Sequence, residues 1–229
     1  MTKPIVLITG AAGGLGRALA FELAQAGTEL MLLDKDSRGL DQLYDQLRAD
    51  NLPEPALCPL DLAHAGPEAY LELASIFEQE FGGLDHVVHC AVHFEGLTPL
   101  EQIAPGQWAT AMQVNLTAAW ALTVSCLPQL KKSPDASVTF LMDDPDRSRA
   151  AFWGAYGIAK AAVTSMTEIM RQEWENTGIR VQTFNPGPMR TTFRADAFLA
   201  EDPAELPQPA SAAALLAQTV LRHRAEGQS

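Results

Sequence analysis

Short apolar runs alternate along this chain with longer stretches whose apolar residues recur every three or four positions. The runs at 5–9, 29–33, 56–60, 86–89, 137–142 and 180–184 predict strands. The amphipathic stretches at 14–26, 38–49, 67–81, 105–131, 154–176 and 210–222 predict helices. Strands separated by helices of this length imply βαβ units, a parallel sheet and right-handed crossovers. The expected class is α/β: one doubly wound, Rossmann-type parallel sheet in a single domain over residues 1–229. Gly27 and Gly178 stand where a left-handed residue would end the first and fifth helices. The proline-rich, acidic stretch 200–209 reads as an irregular surface segment.

The first strand runs directly into TGAAGGLG (residues 9–16), and the first helix follows at once. That order gives a glycine triplet its meaning. Gly10, Gly14 and Gly16 let the backbone turn tightly and approach a pyrophosphate, whose charge suits the free N–H groups of a helix start. Asp34 ends the second strand, about 20 residues further on, where a dinucleotide fold carries its ribose-binding acid.

Composition narrows the partners. A formal net charge of -12 with no basic cluster excludes nucleic acid and anionic membrane surfaces. No apolar run approaches the roughly 18–20 residues of a membrane span. The start of the chain has no signal-peptide pattern, and Cys58, Cys90 and Cys126 lack disulfide or zinc spacing, so a reducing cytoplasm is expected. His89 and His93 read as a strand-end and a loop histidine; no metal is expected.

Tyr156 and Lys160 lie four apart on a predicted helix and share one face. A nearby ammonium favours the phenolate of a tyrosine whose ordinary pKa is about 10, which would make Tyr156 an acid–base group near neutral pH. With the glycine turn, FGGLDHVVHCA, MQVN ending at Asn115, YGIAK at 156–160 and NPGPMRT at 185–191, the chain resembles the short-chain dehydrogenase/reductase family over roughly residues 4–200. It is most similar to bacterial oxidoreductases of that family carrying RT-x-x-R-A-x-AF-x-x-EDP, matched at 190–203. The resemblance implies hydride transfer between a nicotinamide cofactor and a small carbonyl or alcohol. Tyr156 would exchange a proton with the substrate oxygen. Lys160 would lower the Tyr156 pKa and bind ribose hydroxyls, and Asn115 would interrupt its helix and hold a relay water. Gly10, Gly14, Leu15 and Gly16 would line the pyrophosphate and ribose. Asp61 would meet the adenine, with Leu62 and Ala91 beside the cofactor, and Pro186, Gly187, Met189 and Thr191 would frame the carboxamide. Asp34 resembles the acid of NAD-preferring members, so NAD is expected, with NADP as the alternative and Lys35 softening the repulsion of a 2′-phosphate. The helices carrying Asn115 and Tyr156 commonly build a homodimer in the family. Their apolar residues Leu116, Trp120, Val124, Met166, Met170 and Trp174 would serve that contact or face the sheet.

The pattern breaks in three places. Thirteen residues before Tyr156, where the family carries a catalytic serine, stands Asp143. A carboxylate cannot donate a hydrogen bond, and it pushes a neighbouring phenol upward. Three accounts remain open: Asp143 turned to solvent, Asp143 protonated by burial, or a substrate presenting a cationic nitrogen. Ser148 could replace the serine if the loop folds back. Second, Cys90 and Val92 stand where the family carries an asparagine and a glycine. Third, family members end in a further strand, whereas only HRAEGQS follows the last helix here, so the sheet is expected to lack it. An oxidoreductase is therefore set against a dinucleotide-binding sensor, regulatory subunit or scaffold with little turnover. An extended-type nucleotide-sugar epimerase is disfavoured, because too little chain follows the glycine turn. Substrate choice falls to the loops after His93 and at 143–153 and 192–209, where Phe94, Phe152, Trp153, Phe193 and Phe198 suggest an apolar wall.

Overall fold

The computed structural model describes residues 3–222. Six strands form one parallel sheet: β1 (Ile5–Thr9), β2 (Glu29–Asp34), β3 (Ala56–Pro59), β4 (His86–His89), β5 (Ser137–Leu141) and β6 (Arg180–Phe184), in the order β3-β2-β1-β4-β5-β6. The chain works outward from β1 in one direction and then returns to start again at β4. The crevice between the carboxyl ends of β1 and β4 is thus the switch point at which such sheets bind ligands.

Both faces of the sheet are covered, which explains why the central strands are nearly continuous in apolar residues. On one face α1 (Gly14–Gln25), α2 (Ser37–Ala49) and α9 (Pro209–Leu221) pack Leu19, Leu23, Leu43 and Leu216 against Val6, Ile8 and Leu32. On the other, α3 (Pro67–Ile76), α5 (Ala118–Leu130) and α7 (Gly154–Glu173) pack Tyr70, Leu122 and Val163 against Leu7, Val87 and Phe140. Among the described residues the other α-helices are α4 (Pro105–Met112) and two short ones, α6 (Pro145–Ser148) and α8 (Thr192–Ala197).

Gly27 adopts φ +82°, and the N–H groups of Gly27 and Thr28 close α1 on the carbonyls of Ala24 and Leu23. Gly178 is also left-handed, at φ +84°, but α7 already ends at Glu173; Gly178 turns the chain into β6 instead. The long helix expected at 105–131 is divided by a wide π turn, Gln113–Thr117, centred on Asn115. The apolar stripe of the long helices is also divided. Met170 and Trp174 are buried in the core, while Trp120 and Val124 stand 49% and 40% exposed. Among the described residues β6 is an edge strand; the expected absence of a further strand falls on residues 223–229, which lie outside them. Arg171 of α7 covers that edge, its Nε donating to the Val181 carbonyl at 2.9 Å and its Nη2 to Thr183 Oγ1 at 3.2 Å.

Candidate active site

The turn after β1 is built for contact between backbones. Gly10 sits at φ +67°, and a Cβ there would lie 2.6 Å from the Ala91 nitrogen at the end of β4. A Cβ on Gly16 would meet the Gly10 carbonyl oxygen at 2.2 Å, and one on Gly14 would meet Thr191 Cγ2 at 2.8 Å. No side chain caps the N-terminus of α1, so its first N–H groups face the crevice. These close approaches admit only glycine and keep the turn tight, and the uncapped start of α1 beside it fits a pyrophosphate.

Two cavities meet at this turn and share Gly10, Gly13, Cys90 and Val92. One, of about 290 Å³, extends toward Asp34, Asp61, Leu62 and Ala91. The other, of about 330 Å³, holds Gly14, Leu15 and Gly16 on one side and Pro186, Gly187, Met189 and Thr191 on another, with Asp143, Tyr156 and Lys160 among its lining. Asp34 accepts from the N–H groups of Ala12 and Asp36, both at 3.0 Å, so its carboxylate is fixed at the mouth of the first cavity. The Ala63 N–H on Asp61, seconded by His64, holds that carboxyl below its usual range. Among the predicted catalytic and cofactor residues only Asn115 lines neither large cavity. Its Oδ1 and Nδ2 pair with the backbone N–H and carbonyl of His93, both at 2.8 Å, which pins the segment that follows β4. Asn115 does face a void of about 10 Å³ shared with Lys160 and His89, which is room for one water.

Tyr156 and Lys160 project from the first turns of α7 and are both buried. The phenol donates to Asp143 Oδ2 at 3.2 Å. Burial, then Asp143, pushes the Tyr156 pKa far above that of a free phenol; only Arg147 opposes the shift. This reverses the expected tuning by Lys160. The ammonium lies 5.7 Å from the ring centroid and donates to the Leu141 carbonyl at 2.8 Å, and burial lowers its own pKa to about 8.

Asp143 is neither turned to solvent nor alone. Its side chain is 8% exposed, its Oδ1 accepts from the Asp144 N–H at 2.7 Å, and the same oxygen pairs with the Arg147 guanidinium. Ser148 does not replace the missing serine. The loop coils into α6, capped by the Asp144 side chain on the Asp146 N–H, which carries Arg147 into the cavity. Ser148 is buried behind it, its carbonyl 2.0 Å from where a Cβ on Gly157 would stand. Arg147 was thus missed; its one signal was the i, i+4 spacing from Asp143. Asn185, whose Oδ1 accepts from the Gly187 N–H at 3.0 Å, is a second lining residue not singled out.

Of the expected apolar wall, Phe94, Trp153, Phe193 and Phe198 cluster with Tyr156, and Phe94 and Phe193 line the large cavity. Phe152 is 55% exposed at φ +74° and lies outside that cluster. Cys90 behaves as a small hydrophobe, burial raising its thiol to about 12. Val92, on both cavities, adds the bulk that a glycine would spare. The imidazole of His89 meets Thr123 Oγ1 at 2.7 Å, and that of His93 meets Glu95 at 2.9 Å.

Comparison with known proteins agrees with this geometry. The Escherichia coli K12 oxidoreductase YciK is 34% identical over 206 residues, covering 90% of this chain and 81% of its own. A short chain dehydrogenase structure from Pseudomonas syringae superposes with a TM-score of 0.91 at 36% identity, over 95% of this chain and 88% of that one. Another from Escherichia coli CFT073, complexed with NADPH, gives a TM-score of 0.91 at 33% identity, over 96% and 91%. The model of the short chain dehydrogenase family matches residues 4–202, and on these grounds the chain belongs to the short chain dehydrogenase family of NAD(P)-dependent oxidoreductases.

Proposed function

We propose that the cleft reduces a small carbonyl compound, with Tyr156 donating to the oxygen on which charge collects. The carrying observation is the buried Tyr156 hydroxyl at the floor of a cavity with the glycine turn on one side and Phe94 and Phe193 on the other. A phenol whose pKa is raised stays protonated across physiological pH, so Tyr156 enters the reaction carrying the proton it would pass to the oxygen. Gly10, Gly14, Leu15 and Gly16 would hold the pyrophosphate, Asp34, Asp61, Leu62 and Ala91 the adenosine, and Pro186, Gly187, Met189 and Thr191 the nicotinamide. When bound, the nicotinamide supplies the hydride. Lys160 retains donors beyond the one it spends on Leu141 and would hold ribose hydroxyls. Asn115 orders the His93 segment after β4 and lines the water-sized void beside Lys160. The scaffold reading loses its support to the family match.

We infer a preference for NAD. Related structures are complexed with NADP and NADPH, but here the Asp34 carboxylate lines the adenosine end and would repel a 2′-phosphate. A homodimer through α4–α5 and α7 is supported by the exposed apolar residues Trp108, Trp120, Val124 and Ile169. No helix of the described residues is long and apolar enough to cross a membrane, in keeping with a cytoplasmic, small-molecule enzyme. The test joins binding to turnover: Tyr156→Phe should lower kcat by about 10²-fold or more. Fluorescence titration of that variant with NADH and NADPH should be unchanged, NADH binding the tighter. Turnover indifferent to the substitution refutes the role of Tyr156; tighter NADPH refutes that of Asp34.

A further inference from the structure

The family's serine would donate a hydrogen bond to the reacting oxygen, and nothing at position 143 of this chain can. A carbonyl oxygen placed before Tyr156 would meet one donor and the lone pairs of Asp143 Oδ2, 3.2 Å from the phenol. Left so, the site would repel the charge that hydride addition creates. The compensation lies one helical turn on. Arg147 binds Asp143 Oδ1, cancels the carboxylate's charge and lines the same cavity as Tyr156. Its Nε is shielded from solvent and has no partner among the described residues, and its guanidinium lies over the Phe198 ring at 5.7 Å from the centroid. It has five donors, of which the Asp143 pair uses one. Its charge already reaches the phenol, being what draws the Tyr156 pKa downward against burial and Asp143.

We propose that Arg147 is a catalytic residue that takes over the missing serine's work, donating to the substrate oxygen as negative charge develops there, and that Asp143 is the positioning residue that aims it. This rests on the carbonyl-reductase reading above. Asp143 Oδ1, itself fixed by the Asp144 N–H, sets the plane of the guanidinium. The pair as a whole is neutral, so the site keeps a donor without a net repulsive charge. Arg147 belongs to α6, and Gly157 of α7 leaves the room that lets the Ser148 end of α6 pack against it.

The experiment uses Arg147→Ala, Asp143→Ser and the double variant. Thermal melting and NADH titration verify fold and cofactor cleft. With acetophenone and a vicinal aromatic diketone as substrates, Arg147→Ala should lose about 10²–10³-fold in kcat, the usual cost of one such donor. Asp143→Ser should stay active, and the double variant should recover to within about tenfold of the parent, since the serine hydroxyl then donates. A second readout needs no turnover. Calorimetry with benzoate, an aromatic anion presented to the NADH-bound protein, should show binding that weakens at least tenfold in Arg147→Ala and tightens in Asp143→Ser. Three results overturn the proposal: an Arg147→Ala variant within about threefold of the parent, a double variant as inactive as Arg147→Ala although folded and NADH-bound, or benzoate binding indifferent to Arg147. If the parent reduces neither ketone yet benzoate binding depends on Arg147, the carbonyl-reductase reading falls and the anion-binding assignment of Arg147 stands.

Discussion

Acid should unfold this protein partly through one histidine. His89 ends β4 with its ring buried, stacked on Phe140 at 4.9 Å between centroids. Thr123 Oγ1 spends its own proton on the Ala119 carbonyl at 2.7 Å, so it can only accept from His89, which fixes the neutral Nε2–H tautomer. Burial, seconded by the Lys160 ammonium, lowers the His89 pKa from 6.5 to about 3. As pH falls below 6.5 the unfolded chain takes up a proton that the native ring refuses until about 3, so stability is present above 6.5 and lost through that window. Between about pH 7 and about pH 4 the loss is on the order of 3 kcal/mol. His89→Leu removes the titration while leaving Thr123 bonded to Ala119. Urea unfolding followed by tryptophan fluorescence at both pH values should show the parent losing about 3 kcal/mol more than the variant. Equal losses would mean that His89 is hydrated or protonated in the native state, and the reasoning fails.

Two further outcomes follow from backbone contacts. Gly16→Ala places a Cβ 2.2 Å from the Gly10 carbonyl, so the turn must open; NADH affinity should fall at least about tenfold by fluorescence titration, with a lower melting temperature. Arg171→Ala uncovers the Val181 carbonyl on the β6 edge. Stability should fall by about 1 kcal/mol in urea, and light scattering should detect concentration-dependent association beyond the parent's own oligomer.

The six strands were legible because each is a short apolar run, most of them closed within two residues by glycine, proline or a charge, and their bounds moved by no more than a residue. Helices of a dozen residues were legible for the same reason: their burial stripe repeats enough to be seen. α6 and α8 were not, since four and six residues cannot display a period. Local bonds define them instead: Asp144 on the Asp146 N–H, and Thr191 on the Arg194 N–H at 3.2 Å. Both helices carry arginines that line the large cavity: α8 lies within the stretch 190–203 that matches bacterial members of the family, whereas α6 follows Asp143, where the chain departs from the family pattern.

The Tyr156–Lys160 pair shows why spacing alone misjudges chemistry. Four residues on a helix bring phenol and ammonium to one face, and the fold does so. What spacing omits is the medium and the third charge. The ammonium is itself buried, loses affinity for its proton, and turns to the Leu141 carbonyl, while a carboxylate from β5's end sits 3.2 Å from the phenol. At that distance in a dry site the nearer charge dominates the farther one. Tyr156 is therefore held protonated first by burial and then by the residue that replaced the serine, and Arg147 is the group placed to weaken that hold. Removing Asp143 should accordingly bring the phenol down, whereas removing Arg147 should raise it further. A site run by Lys160 alone would respond to neither change.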